Sequence, residues 1–219
     1  MPGAFITFEG IDGCGKSTQL RLLASALRLQ GLEVVTTREP GGTTLGQRLR
    51  AALLDVDEQV DPLAELLVFA ADRAQHVRQQ LRPALKTNHV VLSDRYADAT
   101  VAYQGAGRGF DPKLIDEIVK LATEGLKPDL TLIFDLSVPE SITRTRRREE
   151  KKQKDRLDIE DPDFHARVRN AYLEIAKAEP DRVRIIDAHG STEETHNAVR
   201  KIVMPILKAR GLIGKEQTV

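Results

Sequence analysis

Three observations predict an α/β fold with a parallel sheet and helices on both of its faces. A glycine-rich phosphate-binding string, Gly10-Ile11-Asp12-Gly13-Cys14-Gly15-Lys16-Ser17, lies between an apolar run and a helical pattern. Strand-like and helix-like stretches alternate along the chain, as in parallel sheets. The length, 219 residues, suffices for one such domain with a sizeable core.

Each element has its own signal. Ala4 to Phe8 is an apolar run, broken only by Thr7, and reads as a buried strand. Leu20, Leu23, Ala24 and Leu27 recur at helical spacing, and Gly31 is a helix stop. Leu32 to Thr37 is the second strand, closed by Arg38-Glu39-Pro40-Gly41-Gly42. A helix spans about 45–54. A longer one opens at Pro62 behind the cap Asp61, with an apolar stripe at Leu63, Leu67, Ala70, Ala74, Val77 and Leu81. Pro83 is expected to bend or end it. His89 to Ser93 is the third strand, followed by a glycine-rich loop. Asp111 to Thr123 is a helix stopped by Gly125, and Leu130 to Leu136 is the fourth strand. Ser137 and Pro139 open a basic helix, and Asp161-Pro162 opens another. Val183 to Asp187 is the fifth strand, and Ser191 with Glu194 forms a capping box for the last helix. No repeat or linker divides the chain, so a single domain over 1–219 is expected. The last residues, 214–219, are expected to fray.

Composition narrows the partners. Lysine plus arginine and aspartate plus glutamate number 33 each, so no net field favours nucleic acid or an anionic membrane. One cysteine excludes an internal disulfide and fits a reducing compartment. Met1-Pro2-Gly3 runs straight into the first strand, with no leader expected before it. No apolar run approaches membrane-spanning length. A soluble cytoplasmic protein is the expectation.

The chemistry starts at the P-loop. Backbone N–H groups from Gly10 to Thr18 can converge on phosphate oxygens, helped by the helix dipole. Lys16 reaches the β- and γ-phosphates, and the Ser17 hydroxyl ligates Mg²⁺; ATP and Mg²⁺ are therefore implied. A second metal group is expected at a strand end. Two strands end in aspartate, Asp94 and Asp135. Sequence alone does not choose between them, but Arg95 beside Asp94 tips the choice, since carboxylate for metal and guanidinium for phosphate is a phosphotransfer pairing. Cys14 lies at a helix N-terminus near Lys16. Both features favour a reactive thiolate that ATP would protect, against the alternative of a buried inert thiol.

The loop after Asp94 carries Thr100, Tyr103, Gln104, Gly105, Gly107, Arg108 and Gly109. It lies where open α/β sheets bind ligands. Phe69 and Arg73 share one helix face, roughly 100° from the apolar stripe. An aromatic beside a guanidinium can stack on a base and bond its edge, or Phe69 can serve a second packing surface. The basic run from Arg144 to Arg156 is interleaved with Glu149, Glu150 and Asp155. It reads as a solvated helix face, a nucleic-acid patch, or a lid whose arginines close on ATP; the interleaved acids and neutral chain argue against nucleic acid.

Five blocks in order resemble the bacterial thymidylate kinases: Phe8-Glu9-Gly10 into the P-loop, Thr37-Arg38-Glu39-Pro40-Gly41-Gly42, Phe69-Ala70-Ala71-Asp72-Arg73, Asp94-Arg95-Tyr96, and Ala102-Tyr103-Gln104-Gly105-x-Gly107-Arg108-Gly109. The resemblance covers nearly the whole chain. It implies a P-loop nucleoside monophosphate kinase fold with about five strands, a homodimer, and transfer of the γ-phosphoryl group of ATP to dTMP. By resemblance Phe69 stacks on thymine while Arg73, Thr100 and Gln104 read the base, with Tyr103 beside the acceptor. Arg95, helped by Arg50, holds the dTMP phosphate. Asp12 lies near the sugar 3′-hydroxyl and the metal, and Glu39 lines the acceptor site. Gly13 stands where one class of the family has a catalytic arginine, so catalytic arginines are expected in the lid (segment 144–157), at Arg148 and Arg156. Ala99 replaces a common serine, removing a hydroxyl near the acceptor. Another P-loop kinase, or a nucleotide-switch protein with slow turnover, would share the P-loop without needing Phe69 and Arg73.

Overall fold

The computed structural model describes residues 3–54, 59–87, 89–149 and 160–213, without the side chains of residues 148 and 149. The described residues form a five-stranded, all-parallel sheet. Its strands are β1 (Ala4–Glu9), β2 (Val34–Arg38), β3 (Val90–Asp94), β4 (Leu130–Asp135) and β5 (Val183–Asp187), in the order β2-β3-β1-β4-β5. The most buried strand, β1, is central because all six of its residues are sealed on both faces.

Side chains alternate between two layers. Ala4, Ile6 and Phe8 point into a core shared with α1 (Lys16–Leu29) and α9 (Thr192–Ala209), through Leu20, Leu23, Leu27, Val199, Val203 and Leu207. On the opposite face Phe5 and Val91 pack with Val77, Leu81 and Leu85. There Ile133 and Val183 also pack with Phe164, Val168 and Tyr172 of α8 (Pro162–Ala178). No helix among the described residues is long and apolar enough to cross a membrane.

The register positions the site. Phe8 is level with Asp94, and Glu9 with Ile133. The chain leaving β1 therefore emerges beside the chain leaving β3, at the carboxyl edge where parallel sheets bind ligands.

The capped helices form where expected. Asp61 accepts from the N–H groups of Leu63 and Ala64 at the start of α3 (Pro62–His76), Asp111 caps α6 (Pro112–Thr123), and Ser191 and Glu194 close the capping box of α9. Three expectations are corrected. Pro83 does not end the helical run that starts with α3, which continues to Lys86. A wider π-helical turn, Val77–Leu81, precedes α4 (Arg82–Lys86) and puts Pro83 in a first turn, where its missing N–H costs little. The glycine-rich loop after Asp94 is helical: α5 (Ala97–Thr100) runs into a π-helical turn, Val101–Gly107. Ala97, Ala99 and Ala102 are good helix formers, and Gly105 and Gly107 fall in the last turn. The expected apolar stripe holds at Val77 and Leu81, both fully buried, but fails within α3 itself. Leu63 and Leu67 are about half exposed, at 47% and 52%, whereas Glu65, Asp72, Arg73 and His76 are buried. A buried polar network, described below, outcompetes hydrophobicity for the inner face.

Asp72 joins α3 to the turn that precedes α2 (Thr44–Leu54), its Oδ1 accepting from the Gly41 N–H at 3.1 Å. A Cβ on Gly46 would lie 2.2 Å from that same oxygen. Helix propensity predicts that Gly46→Ala stabilises by about 1 kcal/mol. The close approach predicts the reverse, a loss of about 1–3 kcal/mol through overpacking. Urea unfolding of the variant decides between them by the direction of its midpoint shift.

Candidate active site

The P-loop turns between β1 and α1, with Lys16 as the first residue of the helix and 6% exposed. Gly13 is in the left-handed region, φ 76°. A Cβ there would lie 2.7 Å from the Ser141 carbonyl and 2.9 Å from Thr145 Oγ1, both on α7 (Val138–Glu149). The basic helix therefore lies directly on the loop, leaving no room for a side chain at position 13. Ser141 Oγ donates to the Asp12 carbonyl at 2.5 Å, tying that helix to the P-loop.

Asp12 is the centre of the charge arrangement. Its Oδ1 lies 3.1 Å from Lys16 Nζ. Arg95 Nη2 donates to both Asp12 oxygens at 2.9 Å and to the Tyr103 hydroxyl at 3.0 Å. The guanidinium lies over the Tyr103 ring, 4.7 Å from its centroid. One carboxylate thus brings a P-loop lysine and a strand-end arginine to a common point.

The metal candidates separate cleanly. Ser17 Oγ donates to Asp94 Oδ2, which pairs the P-loop hydroxyl with the β3 carboxylate. Asp135 is bound by Arg169 through two hydrogen bonds, at 2.6 and 2.9 Å. Among the described residues no cluster of three or more His, Cys, Asp or Glu side chains could hold a metal. One hydroxyl and one carboxylate, with phosphate oxygens and water supplying the other ligands, is the donor set that suits Mg²⁺ in nucleotide sites.

A second constellation lies behind the Arg38–Gly42 turn. Arg73, 1% exposed, donates from Nε to Glu39 at 2.8 Å, from Nη1 to Thr100 Oγ1 at 2.8 Å and from Nη2 to the Tyr96 carbonyl at 2.9 Å. Burial alone would raise the Glu39 carboxyl, but Arg73 and His76 outweigh it and hold it below the usual carboxylate range. His76 bridges Glu39 and Thr37 at 2.8 and 2.7 Å. Phe69 is half-buried one turn from Arg73. Gln104 Nε2 donates to Glu65 at 2.9 Å, and Arg108 joins Glu65 to Glu160. Arg50 Nη1 donates to the Pro40 carbonyl at 3.4 Å, on the same turn.

Residues to which the sequence reading gave no role complete the site. Glu9, 0% exposed, accepts from the Tyr96 N–H at 2.7 Å and from the Tyr172 hydroxyl at 2.8 Å. His76, Glu65 and Tyr172 likewise carried no sequence signal beyond their places in helices. Arg144 donates from Nη1 to the Ala188 carbonyl, while Arg146 and Arg147 are exposed. Arg148 and Arg156, the arginines expected in a lid, lie outside the described residues, Arg148 as regards its side chain. Cys14 corrects the thiolate expectation: it is 2% exposed, and burial pushes its thiol up despite the opposing charge of Lys16.

Burial, reinforced by Asp98, pushes the Glu9 carboxyl from its ordinary 4.5 up to about 8. The folded chain therefore holds this proton where the unfolded chain has released it. The associated stability is fully present below about pH 4.5 and lost as pH rises through about 8. Glutamine at this position does not titrate. The stability of Glu9→Gln should therefore gain on that of the natural chain as pH rises across this window, as measured by urea unfolding at several pH values. A difference independent of pH would contradict the burial of an ionisable Glu9.

Comparison with known proteins places this geometry. The family model described as thymidylate kinase matches residues 8–199. The chain is 47% identical over 206 residues to a thymidylate kinase of Geotalea uraniireducens, covering 92% of this chain and 97% of the relative. It is 48% identical over 210 residues to one of Nitratidesulfovibrio vulgaris, covering 94% and 98%. The crystal structure of thymidylate kinase from Ehrlichia chaffeensis superposes with a TM-score of 0.75 at 37% identity, covering 92% of this chain and 98% of that one. With its phosphate-binding loop, its Asp12-bridged cations and this likeness over nearly its full length, the chain belongs to the thymidylate kinase family.

Proposed function

We propose that the chain transfers the γ-phosphoryl group of ATP to dTMP, giving dTDP and ADP for dTTP synthesis, and that it does so as follows. The observation that carries the reading is Asp12 between Lys16 and Arg95, one cation on the ATP side and one on the acceptor side. The acceptor is a phosphate monoester whose second pKa is about 6, so its attacking oxygen is already largely anionic at pH 7. No general base is needed. The obstacle is repulsion between two anions, and the chain's task is to neutralise and align them.

The N–H groups of the P-loop, Gly10 to Thr18, and Lys16 hold the ATP phosphates. Ser17 and Asp94 hold Mg²⁺, which neutralises phosphate charge when bound. Arg95 holds the dTMP phosphate, with Arg50 close by. Asp12 orients both cations and lies near the sugar 3′-hydroxyl. Phe69 stacks on the base, while Arg73, Thr100 and Gln104 read its edge. Glu39 fixes Arg73, and Tyr103 supports Arg95 from beneath. Arg148 and Arg156 close over the transferring group as a lid, and closure keeps water from the phosphoryl group. The chain works as one domain, in the cytoplasm, without nucleic acid or membrane. A homodimer is supported by exposed leucines on two helices that pack together, Leu63 and Leu67 of α3 and Leu114 of α6.

The test is ADP release from ATP and Mg²⁺ with each nucleoside monophosphate in turn. Turnover should be greatest with dTMP; equal turnover with another acceptor, or with none, would refute the reading. In the same assay Asp94→Asn should raise the Mg²⁺ requirement by about tenfold or more, while Asp135→Asn leaves it within about twofold. The reverse pattern would move the metal site.

A further inference from the structure

Arg95 has a backbone that arginine seldom adopts, with φ 71°. Such a conformation persists only where its surroundings over-determine it. Here the peptide is clamped on both sides. The Arg95 N–H donates to the Phe8 carbonyl at 3.0 Å, and Ser93 Oγ donates to the Arg95 carbonyl at 2.7 Å. The next N–H, that of Tyr96, points at a buried acid, Glu9 Oε1, at 2.7 Å. The other oxygen of that acid binds the Tyr172 hydroxyl at 2.8 Å, and Tyr172 Oη lies 3.4 Å from Arg95 Nη1.

We infer that Glu9 is the positioning residue for Arg95, acting on its backbone through the Tyr96 N–H and on its guanidinium through the Tyr172 hydroxyl. An acid is a costly way to fill the end of a central strand, since burial disfavours it and an apolar residue would pack there. What an apolar residue lacks is two hydrogen-bonding oxygens spread to meet one backbone N–H and one hydroxyl. With Glu9 present, the strained turn and the long side chain that follows it are held from the same group. Without it, the Tyr96 N–H is buried without an acceptor, and the turn that aims Arg95 loses one of its clamps. Tyr172 fits this role: it is 1% exposed on α8, so its hydroxyl is fixed by packing.

The inference rests on the reading of Arg95 as the acceptor-phosphate residue, so the experiment carries that reading as its own control. Steady-state kinetics are measured for Arg95→Ala, Glu9→Leu, Glu9→Gln and Tyr172→Phe, with dTMP and ATP each varied. Glu9→Leu keeps the volume and removes both acceptors. It should raise KM for dTMP about tenfold or more and leave KM for ATP within about twofold. Glu9→Gln keeps an acceptor for Tyr96 and a bond to Tyr172, and should restore KM for dTMP to within about threefold of the natural enzyme. Tyr172→Phe removes one oxygen and should raise KM for dTMP about threefold; it decides the matter if Glu9→Leu does not fold. If Arg95→Ala leaves KM for dTMP unchanged, the reading of Arg95 falls and the inference with it. If Arg95→Ala raises that KM and the Glu9 and Tyr172 variants do not, or if they raise both KM values alike, the role of Glu9 alone is overturned.

Discussion

The Asp12 carboxylate is the interaction on which the rest of the site depends. Lys16 and Arg95 carry like charges into a half-buried space where water screens them poorly. Without an anion between them they would repel, and neither would stay where phosphates meet. Asp12 takes both, at 3.1 and 2.9 Å. Its own position is set by the backbone. The P-loop follows directly from β1, and the parallel register, with Phe8 level with Asp94, brings Arg95 out of β3 beside the end of β1. Ser141 of α7 then fastens the Asp12 carbonyl from the far side. Three elements distant in sequence thus converge on one residue, and the sheet exists in this order so that they can.

The acceptor side obeys a different constraint. Its groups are buried, so each must find a partner or destabilise the fold. Arg73 resolves this by donating to Glu39, Thr100 and the Tyr96 carbonyl, and Glu39 by also taking His76. The polar face of α3 turns inward for this reason, and its leucines turn outward. The groups proposed to read the base are therefore also packing groups. A substitution at Arg73 would leave the buried Glu39 with His76 but without its guanidinium partner, so its effects on base choice must be read beside a stability measurement.

Much of this was legible in sequence where a local pattern carries a local cause. Caps at Asp61, Asp111 and Ser191, the apolar strands and the P-loop each encode their own geometry within a few residues. The pairing of Asp94 with Arg95 pointed to the strand whose aspartate meets Ser17, and the rival Asp135 is bound to Arg169 instead. What was not legible depends on distant partners. Ala97 to Gly107 looked like a loop because its glycines were weighed more heavily than its alanines. The stripe of α3 looked like a core face because periodicity does not reveal that Glu39 and Thr100 wait on the other side. Cys14 looked activated by Lys16, but burial opposes the thiolate more strongly. Glu9 stood in the Phe8-Glu9-Gly10 block but was given no role, since the task of an acid at the end of an apolar strand is set by Tyr96 and Tyr172, distant in sequence.

The central claim is that one carboxylate serves both substrates. It is tested most directly by steady-state kinetics of Asp12→Asn, a variant of equal size that removes the charge from between the two cations. The expected result is that kcat/KM falls for ATP and for dTMP together, each by about tenfold or more, because both cations lose the same anchor. A loss confined to one substrate would contradict the claim, for it would mean that Lys16 and Arg95 are held independently.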